Sequence, residues 1–556
     1  MQEFFNTGLY KIFEPKYKDI VGKPFITVSA KGISNGLSNI PNDGADFGPD
    51  TTLNATSPSQ TGAPYSSTIG IQEAANYVKT KYGGGKVILK AGNYNVAPIS
   101  IPSGVDLEGE NITIHDGGTP YVTSITAISG TSSDNLITFS GDGGSVTNLY
   151  FLSNVSLNSL LYYEGSECEI ANNTFNGNNV AKTIDVYPND VRIYDNFFVG
   201  SPSIAHIYVE PNGNDIWIEN NFISQEGGTN STTNAGIYVN GNTPGLGVVN
   251  NNDITGMGIS VLLTGSGVMT AWKFAENNFD TARSYGLQII PNGGNLSIEE
   301  FMFIGNLFDF AGINNINIQS SSSGNLTLVD VKFSNNLIYT ASQDGIYISA
   351  YSSTYPILLR SSGLSFIGDV ISTNSYGNSN LYSNVYIAGS ISGEGIAAPI
   401  SFIDVINTNS GTFNGTRYTE YGYSIVNLTG TSVVNIIGGG IWFPLTSYID
   451  SITSAIGILK NVNIVNINDN LVYLTPTTPS VPASGTAQQN TNPYPVNVYL
   501  YGGTVTEIQL TRNGTAYTVF SNASGLALSG QVYKLNPSDS ITITYTTAPT
   551  WNWLSD

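Results

Sequence analysis

Residues 216–224 read IWIENNFIS, and the pattern inside that phrase recurs along the middle of the chain. An apolar residue is followed by two spacers, an Asn, one spacer and a second apolar residue. It aligns as Ile170-x-x-Asn173-x-Phe175, Ile193-x-x-Asn196-x-Phe198, Ile218-x-x-Asn221-x-Ile223 and Val249-x-x-Asn252-x-Ile254. It continues as Phe274-x-x-Asn277-x-Phe279, Phe303-x-x-Asn306-x-Phe308 and Phe333-x-x-Asn336-x-Ile338, and Asp369 between Phe366 and Ile371 extends it. Successive Asn residues lie 23, 25, 31, 25, 29 and 30 positions apart. That period is too long for a hairpin and fits one coil of a solenoid. Inside each period, stretches such as HIYVEP, GIYVNG and GIYISA alternate at period 2 and favour β-branched and aromatic residues, so the coils are strands. Stacked in parallel they make a right-handed, single-stranded β-helix. Asn suits the bends, because it tolerates left-handed backbone and its amide can bond the same Asn one coil above and below. The column Asn173, Asn196, Asn221, Asn252, Asn277, Asn306 and Asn336 is therefore expected to be a structural ladder.

The entry to the solenoid is expected to be capped. In SSTIGIQEAANYVKTKYGGGKVILKAGNYNV, Ser66 and Ser67 are candidate N-caps, and Ile71, Ala74, Ala75, Val78 and Tyr82 fall at helical spacing. A helix over about 67–82, stopped by Gly83–Gly85, would cover the unpaired edge of the first coil. With NDGADFGPDTT before the helix and IPSGVDLEGEN after the next strand, this stretch resembles the start of the pectate-lyase-like superfamily of right-handed β-helix proteins. The resemblance implies the fold, not one chemistry, since lyases, hydrolases, epimerases and non-enzymatic viral spikes share it.

Beyond the solenoid, TPTTPSVPASGTAQQNTNPYP is rich in Pro, Thr and Ser and reads as a linker, residues 476–493. Residues 494–556 change texture to short strands separated by turns, a small β-sandwich. The ending LNPSDSITITYTTAPTWNW resembles C-terminal modules of virion structural proteins, including those of phage tails and of viruses of thermophilic archaea. The expected organisation is an N-terminal segment over 1–45, the β-helix over 46–475, the linker, and the sandwich: an all-β chain.

Composition narrows the chemistry. Nineteen Lys and Arg against 40 Asp and Glu give a net charge of −21, so no basic face for nucleic acid or anionic membrane is expected. One cysteine, Cys168, excludes an intrachain disulfide, and two histidines leave little for a metal site; neither metal nor cofactor is expected. The N-terminus has scattered charges and no apolar h-region, and no run of about 18 apolar residues occurs elsewhere. Neither signal peptide nor membrane insertion is expected.

Active-site signatures of the hydrolases in the superfamily are missing. There is no adjacent Asp pair, neither His115 nor His206 has flanking glycines, and Arg192-Ile193 is followed by Tyr194 instead of Lys. Alternation nevertheless defines an outward column before each Asn corner: Asp185, Tyr208, Tyr238, Ser260, Gln288, Asn317, Tyr347 and Tyr386. Tyrosine rings with amide neighbours are what a surface uses to hold sugars. The column is densest where Thr183, Asp185 and Tyr187, then His206, Tyr208 and Glu210, then Tyr238 and Asn240 lie on successive coils. Tyr187, His206, Tyr208, Tyr238, Asn240, Gln288 and Tyr347 are the carbohydrate-binding candidates. Asp185 and Glu210, offset by one coil and two residues, should sit roughly 8 Å apart, within the span of an inverting glycosidase pair. Asp195 and Glu276 share a corner column three coils apart, about 14 Å, too far for acid–base work. Trp551 and Trp553 are expected in a core or interface, and Cys168 in the core.

These features point to a virion surface spike, fibre or turret protein that contacts host-surface glycans without cleaving them. The expected partners are further copies of the chain (a trimer before a pentamer), other virion proteins, and glycans. The rival reading is a polysaccharide depolymerase using Asp185 and Glu210, and a third is a structural spacer.

Overall fold

A computed structural model describes residues 24–30, 45–49, 51–54, 57–60, 66–110, 123–372 (except 188, 229, 243 and 244), 382–393, 398–408, 419–429, 433–442, 447–450, 462–465 and 478–555 (except 493, 494 and 513). His115 lies outside them.

Three strand segments make each coil, for example Val180–Val186, Val191–Tyr194 and Phe197–Val199. Each pairs in parallel with its counterpart one coil on: Ala205–Val209, Ile216–Glu219 and Phe222–Ser224. The third segments alone form a continuous 13-stranded parallel sheet from Gly92–Val96 to Gly440–Trp442. The chain is thus an all-β parallel β-helix, with the right-handed crossovers that parallel strands of L-residues adopt. Along the second segments the register is kept, so like residues stack: Phe274, Phe303, Phe333, Phe366 and Phe402 face one another ring to ring at 4.4–4.9 Å. Burial of these columns, every one of them over 99% or nearly so, is the principal stabilising term.

The repeated Asn-Asn divides two jobs between its members. The first residue of each corner takes the left-handed conformation: Asn172, Asp195, Asn220, Asn251, Glu276 and Asn335 have φ between 53° and 56°. The second is buried and makes the ladder. Asn196 Oδ1 accepts from both Asn173 N (3.0 Å) and Asn173 Nδ2 (3.1 Å), and Asn196 Nδ2 donates to Ile170 O at 2.8 Å. The same three bonds recur coil by coil through Asn221, Asn252, Asn277, Asn306 and Asn336. The ladder ends on Asp369, whose Oδ1 accepts from Asn336 N and Nδ2 and whose Oδ2 accepts from Ile367 N. The buried side-chain amides of the ladder are thereby paired, as a dry core requires.

The capping helix spans Ile71–Tyr82, four residues shorter at its start than the spacing suggested. Ser66 and Ser67 are not its caps: Gly70 occupies the N-cap in a left-handed conformation. Ser66 and Thr68 hydroxyls instead donate to the Glu73 carboxylate at 2.7 and 2.8 Å. Ile71, Ala74, Ala75 and Val78 are buried, whereas Tyr82 is exposed. Before the helix, Phe25–Val28 pairs in parallel with Gly85–Leu89, so part of the 1–45 segment is a solenoid strand.

The chain divides into two compact units, Met1–Asn468 and Asp469–Asp556. The second is a five-stranded antiparallel sheet built on a long hairpin, Val496–Arg512 and Thr515–Leu535. Ser540–Thr547 pairs with the second half of Val496–Arg512 and Thr550–Ser555 with the first half, and residues of both halves bury one core that includes Trp551 and Trp553. Much of the stretch read as a linker belongs to this unit. Ala487–Gln489 pairs with Ser540–Thr547, Trp551 Nε1 donates to Pro479 O, and Tyr545 Oη donates to Pro482 O. Cys168 is a free, buried thiol.

Candidate functional site

The outward column runs, by strand register, Tyr162, Asp185, Tyr208, Tyr238, Leu262, Gln288, Asn317, Tyr347 and Tyr386. Leu262, not Ser260, holds the fifth place. Ser260 lies two residues earlier and is fully buried. An apolar side chain therefore splits the stripe into a lower cluster around Asp185 and Tyr208 and an upper one from Gln288 to Tyr386.

In the lower cluster a residue absent from the sequence candidates is central. Lys182 Nζ lies 2.8 Å from Asp185 Oδ2 and 2.9 Å from Glu210 Oε1, and sits over the Tyr208 ring, 3.8 Å from its centroid. The two bonded oxygens are therefore no farther apart than the sum of those contacts, well inside the roughly 8 Å expected from backbone offsets. Both carboxylates lean toward one ammonium. Strict alternation counted from Asp185 would place Lys182 inward with Ile184 and Val186. Alternation breaks here, since Thr183 and Ile184 are both fully buried, and Lys182 lies on the outer side of that break. The available signal was a cation three residues from an acid, in a solenoid with few bases.

Asp185 itself is only 2% exposed. Asn158 Nδ2 donates to its Oδ2 at 3.4 Å, while Oδ1 is buried without a hydrogen-bond partner. Burial pushes its carboxyl up, to about 7; the neighbouring Glu210 charge adds to the shift and the Lys182 ammonium opposes it. The apolar surroundings that the sequence did not reveal are thus present.

Both faces of the Tyr208 ring are occupied. Lys182 comes from the coil below, and Tyr238 stacks from the coil above with centroids 4.6 Å apart. Asn240 Nδ2 donates to Tyr208 Oη at 2.9 Å. Tyr347 and Tyr386 stack on each other in the same way at 5.0 Å, and Tyr187 meets Tyr162 edge-on. A sugar cannot lie on the faces of Tyr208. What this wall presents laterally is ring edges, hydroxyls and amides.

His206 does not belong to the outer surface. It is fully buried, with Nδ1 3.0 Å from Thr183 Oγ1, Nε2 3.2 Å from Gly200 O, and its ring against Phe198. Burial lowers its pKa to about 4, so the ring is neutral, and it cannot reach a ligand on the lateral face. Ile207 beside it is buried too, so alternation fails here as it does at Thr183 and Ile184. Asp195 and Glu276 occupy left-handed corners three coils apart. Among the described residues no group of three or more His, Cys, Asp or Glu could hold a metal ion, and no helix is long and apolar enough to cross a membrane.

No family model matches the chain, and no curated protein does either. Among solved structures, the catalytic unit of a GH87 α-1,3-glucanase from Streptomyces thermodiastaticus strain HF3-3 is similar at 13% identity, over 78% of this chain and 72% of that one, with a TM-score of 0.47. The Dettilon tailspike protein is similar at 11% identity over 89% and 92%, with a TM-score of 0.45. Tailspike protein 3 of bacteriophage CBA120 is similar at 13% identity over 78% of this chain, with a TM-score of 0.36, and this chain spans 64% of its length. The β-helix assignment rests on the strand register above and not on these likenesses.

Proposed function

We propose that the chain is a virion surface spike, fibre or turret component whose lateral wall contacts host-surface glycans without cleaving them. The observation that carries the non-catalytic part is the state of the carboxylates. Asp185 is buried, and both it and Glu210 are ion-paired to Lys182. A general acid must reach the glycosidic oxygen, and a nucleophile or base must be free to act. Neither condition holds in this arrangement. The wall instead offers Tyr hydroxyls and the half-buried amides of Asn240 and Gln288 along coils about 4.8 Å apart, a row of hydrogen-bonding groups suited to an extended polysaccharide. Each contact is weak, and several copies per particle would supply the avidity. The same reading includes a homo-oligomer with closed rotational symmetry, a trimer before a pentamer, attached to other virion proteins through residues 1–45.

One observation favours the rival depolymerase reading: a carboxyl raised to about 7 beside a second carboxylate is how acid and base roles are divided. Incubating the protein with host polysaccharide and assaying reducing ends decides between them. The expected result is no product from the parent, with glycan binding retained in Asp185→Asn and Glu210→Gln. Product from the parent that disappears in both variants would overturn the adhesin reading. Binding unchanged by Asn240→Ala combined with Tyr238→Ala would remove the wall as the contact surface.

A further inference from the structure

The two units differ sharply in charge. Asp469–Asp556 holds four acids (Asp469, Glu507, Asp539 and Asp556) and two bases (Arg512 and Lys534), a net −2 of the chain's −21. Nearly all the self-repulsion therefore lies in Met1–Asn468. The near-neutral unit also exposes apolar side chains on one face of its sheet. Tyr499 stands opposite Val532 on one neighbouring strand and Asn552 on the other, with Tyr501 two residues on; Leu554 is opposite Asn497, two residues before Tyr499. By period 2 these share one face, and Tyr499, Tyr501, Val532 and Leu554 are 37–48% exposed. The patch runs to an open edge. Among the described residues Thr515–Leu535 is the last strand in the sheet order and pairs on one side only, with Val496–Arg512. From Thr515 to Tyr533 it contains no Asp, Glu, Lys, Arg or Pro, the residues that usually guard an exposed edge. Its register slips repeatedly between Thr518 and Gln531, which leaves regular stretches at its two ends, Thr515–Thr518 and Gln531–Leu535. Tyr517, Val519 and Leu526 on it are exposed as well.

We propose that this face and edge dock a second copy of the chain through the same unit. In a closed ring the face of one copy meets the edge of the next, so one unit supplies both halves of the contact, and an unpaired strand edge is best satisfied by another strand. Charge selects the occupant: two copies approaching through their −2 units avoid the repulsion that any solenoid-to-solenoid approach meets. This deepens the homo-oligomer part of the reading above and rests on it there; glycan contact is independent of it.

Sedimentation of the full chain over a concentration series, alongside Tyr499→Lys, Val532→Lys and Val519→Lys, tests the proposal. All three side chains are exposed, so each variant should fold, and far-UV and tryptophan spectra matching the parent verify that. An assembled parent is expected, with association at least about tenfold weaker in the variants, because every contact around the ring then buries a new unpaired lysine. An assembled parent with folded variants that assemble as tightly would overturn this surface while leaving the oligomer standing. A parent that stays monomeric at all concentrations would overturn both.

Discussion

The solenoid and the C-terminal sheet solve the same problem, covering β-structure without disulfides, in opposite ways. In the solenoid each strand is flanked by its counterpart on the next coil, 23–31 residues away between Asn173 and Asn336, so apolar residues stack on like residues and polar bends close on an internal amide ladder. Its outer surface carries most of the acids. The C-terminal sheet has no repeat. Its core is assembled from unlike residues, Trp551 and Trp553 against Val498, Ile508 and Ile541, and its last strand is left unpaired on the outside. Repetition thus makes stability distributive along the solenoid, whereas in the sheet it concentrates on a few large side chains. A repeat array tolerates loss at one coil better than a small sheet tolerates loss of one anchor.

The sharpest way to break that comparison is Trp553→Ala. Truncating a buried Trp costs about 3–5 kcal/mol, a large share of what a small unit possesses. Calorimetry should show a transition of the C-terminal unit lowered strongly while the solenoid transition stays. A uniform shift of one transition would mean the two units melt together.

Acidity should separate them next. Asp344 and Asp369, like Asp185, are solenoid carboxyls raised by burial, Asp369 to about 6 and Asp344 to about 7. A carboxyl whose folded pKa lies above its unfolded value near 3.9 stabilises the fold fully below that value, and the contribution is lost as pH rises through the folded pKa. For Asp369 the stake is of order 2–3 kcal/mol. Where the ladder's Asn residues donate to the carbonyl one coil back, Asp369 can donate toward Phe333 only when protonated. Solenoid stability should therefore fall between pH 4 and 7. Asp369→Asn should flatten that fall; a denaturation series showing the same slope in the variant would assign it to other groups.

Within the solenoid, Asn252→Ala removes the acceptor of Asn221 N and Nδ2 and the donor to Ile218 O. It should cost about 1–3 kcal/mol in chemical denaturation. The smallest effect is at its neighbour: Asn251, at φ 53°, works chiefly through its backbone, its amide making only an exposed bond to Asn220 Oδ1, so Asn251→Gly should change stability by a few tenths of a kcal/mol while Asn251→Ala costs about 1–2. Equal losses for Asn251→Ala and Asn251→Gly would show that its side chain, not its backbone, matters.

The coil itself was legible in the sequence. Period, alternation and the Asn corner are local or strictly repeated properties, so strand identity, parallel stacking and the column of Asn173 to Asn336 follow from residue types and spacing alone. Three things were decided only by the tertiary structure. Lys182 reaches Asp185 and Glu210, and His206 is buried, because alternation, which assumes a regular strand, breaks at the adjacent buried pairs Thr183–Ile184 and His206–Ile207. Leu262 replaces Ser260 in the stripe because register is set by hydrogen bonding between coils of unequal length. And the faces of Tyr208 are closed by Lys182 below and Tyr238 above, residues 26 and 30 positions away in the chain. Sequence determines what each coil is made of; only the stacking of neighbouring coils determines which of its surfaces remain free.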